Sequence, residues 1–131
     1  MSSQQKNTVK PDLPSFVVGI NTCYCDEQIV DTVKSLRASE NVPYFKIIIV
    51  SDREKATPRV IQALKDLDVV LIENNDETSA WAKQMQILDM IDEEIIIMTQ
   101  DDVLFDPLAI YNTVKELTKE GVTFVGLVNE P

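Results

Sequence analysis

Short apolar runs alternate with stretches whose apolar residues recur every three or four positions, from Phe16 to Val128. Phe16-Val17-Val18-Gly19-Ile20 reads as a strand. Ile29, Val30, Val33 and Leu36 then share one helical face, with Asp26 and Glu27 placed to favour the positive end of the helix. Phe45 to Val50 is nearly all apolar and β-branched, the pattern of a strand buried on both faces. Thr57-Pro58 suits a helix start, because the hydroxyl accepts an orphan N–H and proline loses no hydrogen bond there. Val60, Ile61 and Leu64 supply that helix's buried stripe. Val69 to Ile72 predicts a third strand, followed by a polar loop, Glu73 to Asp76. A helix carrying Trp81, Met85, Leu88 and Ile91 inward comes next, and Ile95 to Met98 is the fourth strand. Asp106-Pro107 is read as the cap of a helix with Ile110, Val114 and Leu117 inside. Gly121 stops it, and Val122 to Val128 makes a fifth strand.

Buried strands alternating with helices imply a parallel sheet covered on both faces. Right-handed crossovers make this an α/β, doubly wound, Rossmann-like domain of about five mostly parallel strands. Residues 1–14, polar and containing Pro11 and Pro14, form a lead-in, and residues 15–131 form one domain. That length fits a single domain, on a prior of about 100–200 residues each. Ligands of such folds bind beyond the carboxyl ends of the strands.

Charge and composition narrow the chemistry. Acidic residues outnumber basic ones 22 to 12, and a net charge of −10 repels nucleic acid and anionic membrane surfaces. No apolar run approaches the roughly 20 residues of a membrane span. Cys23 and Cys25 are too close for an unstrained bridge, and two thiols alone do not complete a zinc site. They predict reduced thiols and a cytoplasmic location. The chain has no histidine, which excludes Ser-His-Asp and Cys-His chemistry. Neither G-x-G-x-x-G nor G-x-x-x-x-G-K-[ST] occurs, so dinucleotide and P-loop enzymes are excluded too. A receiver-type signalling domain fails because the first strand ends in Asn21-Thr22, without the acidic pair, and the fifth ends in Asn129-Glu130, without the lysine.

What remains lies at the strand exits: Asn21-Thr22-Cys23-Tyr24, Ser51-Asp52, Glu73-Asn74-Asn75-Asp76 and Thr99-Gln100-Asp101-Asp102. Three of the four carry carboxylates. Adjacent carboxylates after an apolar strand suit a hard divalent cation, which takes one or two carboxylates plus phosphate oxygens and water. The competing reading is solvated loop residues and helix caps. It is preferred for Asp106 but not for Asp101 and Asp102, whose adjacent charges cost energy unless something binds them.

The order of these features resembles the family 2 inverting glycosyltransferases of GT-A fold, over about residues 15–128. Members open with a strand, a Pro-Thr-Tyr-Asn-like turn and a helix ending in Ser-Leu. The same register here holds Ile20-Asn21-Thr22-Cys23-Tyr24, Ile29 to Thr32, and Ser35-Leu36. Val50-Ser51-Asp52-Arg53 matches the Asp-Asp-Gly-Ser-like turn. Glu73-Asn74-Asn75 and Trp81-Ala82-Lys83-Gln84 match the Asn-rich turn and its helix. Thr99-Gln100-Asp101-Asp102 followed by Asp106-Pro107-Leu108 matches the DXD element and its proline.

The resemblance implies a nucleoside-diphosphate sugar donor, a hydroxyl acceptor and Mg²⁺ or Mn²⁺. Thr22, Ser51 and Asp52 would line the nucleoside pocket, and Lys83 would approach the diphosphate as a point charge where the family has arginine. Asp101 would bind the metal and donor, with Asp102 beside it on the metal or sugar. Thr99 replaces the first DXD acid, and Asn21, Cys23 and Tyr24 depart from the family turn. Members continue for roughly another hundred residues that carry the acceptor site and catalytic base, and no residue present is assigned as that base. Apolar surface at the sheet edge, left open without that half, would be a route to a homo-oligomer. The alternative function is a non-catalytic module of the same fold, used for nucleotide binding or protein contacts.

Overall fold

The apolar runs pair into a sheet whose strands all point the same way. The computed structural model describes residues 13–75 and 79–118. Along them run β1 (Phe16–Tyr24), α1 (Glu27–Arg37), β2 (Lys46–Glu54), α2 (Pro58–Asp66), β3 (Val69–Glu73), α3 (Ala80–Leu88), β4 (Ile95–Thr99) and α4 (Ala109–Leu117). The described strands form one parallel sheet in the order β3-β2-β1-β4. The proposed fifth strand, Val122 to Val128, and the Gly121 stop lie outside the described residues, as does Asp76 of the third loop.

Side chains alternate across a strand, and each face of this sheet meets different helices. Val18, Ile20, Ile47, Ile49 and Ile97 pack with Ile29 and Val33 of α1, Val60 and Leu64 of α2, and Ile110 and Val114 of α4. The opposite face, with Val17, Ile48 and Val50, packs on Ile87 of α3. A Cβ on Gly19 would stand 2.8 Å from Met98 Sδ and 2.9 Å from Ile87 Cδ1, so the missing side chain lets α3 lie close on β1. Burial on both faces explains why β2 reads as an unbroken apolar run.

Polar caps fix three helix starts. Asp26 accepts from Gln28 N at 3.1 Å, Thr57 from Val60 N at 3.3 Å, and Ser79 from Ala82 N at 3.1 Å. At the amino end of the sheet the Arg37 fork donates to three carbonyls, those of Leu67, Phe45 and Asp68, at 2.9, 2.6 and 3.0 Å. It ties α1 to the starts of β2 and β3.

Three expectations need correction. Trp81, Met85 and Leu88 do not face inward: Trp81 is 69% exposed and the other two are also exposed, while Lys83 and Ile87 are buried. Two stripes of α3 compete for the sheet. Ile87 wins because it fits over Gly19, and Lys83 accompanies it because a carboxylate waits at the strand ends. Ile61 is exposed, leaving Val60, Ala63 and Leu64 as the packed side of α2. Asp106 does not cap α4. Its carboxylate accepts from Leu108 N at 3.0 Å and closes the turn before the helix, which starts at Ala109 without a side-chain cap.

Candidate functional site at the carboxyl end of the sheet

Strand order places the site. The chain moves from β1 outward through β2 to β3, then returns to the other side of β1 as β4. This reversal opens a crevice at the carboxyl ends of β1 and β4, where doubly wound folds bind ligands. Thr22 pairs with Ser51 in the β1–β2 register, and Ile20 with Thr99 in the β1–β4 register. β4 therefore ends level with Ile20, while β1 and β2 run on to Tyr24 and Glu54.

Thr22 continues the Val18 and Ile20 side of β1. Its hydroxyl donates to Asp101 Oδ2 in a short hydrogen bond, the first link between the chain's two halves at the site. The main-chain oxygen of Asp101 accepts from Thr32 Oγ1 of α1 at 3.0 Å. One turn further along α1, Ser35 Oγ accepts from Phe105 N at 2.9 Å and donates to Thr32 O at 2.7 Å. Asp101 is partly buried and Asp102, next in the turn, is exposed.

Asp52 continues the Ile48 and Val50 side of β2, beneath α3. Lys83 Nζ lies 3.2 Å from Asp52 Oδ2 and donates to Thr22 O at 3.2 Å, with Cys23 Sγ at 3.9 Å. A buried charge is stable only when paired and hydrogen-bonded, and this pair explains why a lysine occupies the inner stripe of α3. Ser51 points to the opposite face; its buried hydroxyl has no hydrogen-bond partner among the described residues.

The structure thus joins Thr22, Asp101, Lys83 and Asp52 into one connected set, with Thr22 bonded through its hydroxyl on one side and its carbonyl on the other. Asp102 borders that set on the solvent side, and Ser51 lies beside Thr22 without a bond to it. Sequence reasoning missed Thr32 as a site residue, although a hydroxyl amid the apolar stripe of Ile29, Val30, Val33 and Leu36 was a readable signal. It also missed how the β3 exit is tied in. Asn74 N donates to Ser51 O at 2.8 Å, Asn74 and Gln86 exchange amide hydrogen bonds at 2.8 and 3.1 Å, and Glu73 Oε2 accepts from Ala56 N at 2.8 Å.

Burial, reinforced by the negative charges of Glu73, Asp26 and Asp101, pushes the Cys25 thiol up to about 11. Cys25 is therefore a neutral thiol at physiological pH. Among the described residues no group of three or more His, Cys, Asp or Glu side chains could hold a metal ion. Asp101 and Asp102 offer two carboxylates on one turn, a donor set that fits a cation completed by ligand oxygens and not a closed protein cage.

Residues 17–129 match the sequence pattern of glycosyl transferase family 2. The chain belongs to that family. The family 2 glycosyltransferase domain superposes on the mannosyltransferase PcManGT from Pyrobaculum calidifontis, solved in complex with GDP-Man and Mn²⁺, with a TM-score of 0.68 at 17% identity. The match covers 88% of this chain and 38% of that one. TarS from S. aureus gives a TM-score of 0.65 at 14% identity over 87% of this chain and 23% of its own. These likenesses identify the α/β fold as GT-A. The glycosyltransferase domain spans well under half the length of either structure. None of the curated proteins matches it in sequence. No helix among its described residues is long and apolar enough to cross a membrane.

Proposed function

We propose that this domain binds a nucleoside-diphosphate sugar at the carboxyl end of its sheet and presents it for transfer, with inversion, to a hydroxyl acceptor. The observation that carries this reading is the Thr22–Asp101 hydrogen bond, which holds an acidic group at the crevice between β1 and β4. The mannosyltransferase of similar fold, in complex with GDP-Man and Mn²⁺, supports a nucleotide-sugar donor and a divalent cation.

Asp101 and Asp102 would hold Mg²⁺ or Mn²⁺ through carboxylate oxygens, the remaining positions going to the donor diphosphate and water. When bound, the metal would stabilise charge developing on the departing nucleoside diphosphate as a Lewis acid. Ser51 and Asp52, just beyond the apolar run of β2, would line the nucleoside side. Thr22 holds Asp101 in place. Lys83 offsets the Asp52 charge behind the Thr22 carbonyl, which lowers the repulsion an anionic ligand meets from the acidic strand ends.

Calorimetric titration with a panel of nucleoside-diphosphate sugars, with and without Mn²⁺, tests the proposal. Metal-dependent binding that Asp101→Ala abolishes is expected. Absence of binding to every donor would refute it. Release of nucleoside diphosphate in a hydrolysis assay then distinguishes a catalyst from a binding module.

A further inference from the structure

Thr32 is fully buried in α1 among Ile29, Val30, Val33 and Leu36. A hydroxyl in such a place costs free energy unless it is hydrogen-bonded, and valine would fill the same space without that cost. Threonine inside a helix commonly bonds back to the carbonyl one turn earlier. Here Oγ1 instead leaves the helix and donates to the main-chain oxygen of Asp101 at 3.0 Å. Ser35, three residues on and on the same face, receives Phe105 N at 2.9 Å and donates to Thr32 O at 2.7 Å. Two hydroxyls of α1 therefore grip the segment 101–105 near both its ends.

The two bonds to Asp101 do different things. Thr22 fixes its carboxylate. Thr32 fixes its carbonyl and, because the peptide unit is planar, the orientation of the link to Asp102. We infer that Thr32 is a positioning residue for the metal–diphosphate site, setting the angle between the Asp101 and Asp102 carboxylates through the peptide plane that joins them. The inference rests on the metal-dependent reading above. Groups that orient metal ligands from behind are worth about 10–100-fold in metal affinity.

Mn²⁺ uptake by the full chain can be followed through the paramagnetic resonance of free Mn²⁺, with UDP or GDP present, for wild type, Thr32→Val and Thr32→Ser. Thr32→Val keeps the volume and loses the donor; Thr32→Ser keeps the donor and loses a buried methyl. Mn²⁺ affinity is expected to fall about tenfold in Thr32→Val and to stay near wild type in Thr32→Ser, even where the serine variant melts at the lower temperature. Unchanged affinity in Thr32→Val, or equal losses in both variants, would overturn the inference while leaving the metal site in place. Wild-type protein that takes up no Mn²⁺ with either diphosphate would overturn the metal reading and the inference together.

Discussion

Lys83 Nζ sits 3.2 Å from Asp52 Oδ2 where β1 and β2 end, and both side chains are almost wholly buried, at 4% and 0% exposure. Removing one partner takes the buried counter-charge from the other, at a cost of about 3–5 kcal/mol. Lys83→Met and Asp52→Asn are each expected to lower the urea midpoint by that order. The double variant should lose much less than the sum, because neither charge of the pair remains. Additive losses in a double-mutant cycle would show that the pair is not coupled.

Gly19 sets how closely α3 approaches the sheet, and hence where Lys83 ends. A side chain there meets Met98 and Ile87, and overfilling a packed core costs about 1–3 kcal/mol. Gly19→Val is expected to destabilise the domain by this amount. It should also weaken donor binding, since Ile87 and Lys83 lie one turn apart on the same helix. Loss of stability with donor affinity intact would separate the packing of α3 from the site.

The Cys25 thiol, pushed up from 9.0 to about 11 chiefly by burial, links stability to pH. Its folded-state value is raised, so the folded protein keeps a proton that the unfolded chain releases first. The stability this contributes is complete below pH 9.0 and disappears as pH rises through about 11. Urea midpoints measured across that interval should fall more steeply for wild type than for Cys25→Ala. Parallel slopes would exclude Cys25 as the titrating group.

Trp81 is the one tryptophan in the chain, and at 69% exposure it reports on which face of α3 is outward. Its fluorescence should be quenched by acrylamide almost as efficiently as that of the urea-unfolded chain. Strong protection in the folded protein would contradict the orientation of α3, and with it the burial of Lys83.

The two levels of information divided along physical lines. Alternating apolar runs and helical stripes depend on local periodicity, so β1 through β4 and their intervening helices were legible in the residues alone, as was the parallel sheet they form. The positions of Thr22, Asp52 and Asp101 just beyond apolar runs were legible for the same reason, although β1 and β2 themselves continue past those runs to Tyr24 and Glu54. The rotation of α3 was not. Trp81, Met85 and Leu88 make as good a stripe as Lys83 and Ile87, and periodicity cannot choose between two faces of one helix. The choice rests on Gly19 and Asp52, distant in sequence and brought beneath α3 only when β1 and β2 pair. The hydrogen bonds of Thr32 and Ser35 to the segment 101–105 likewise span about seventy residues. They exist only because β4 returns beside β1 and delivers Asp101 to the face that α1 covers.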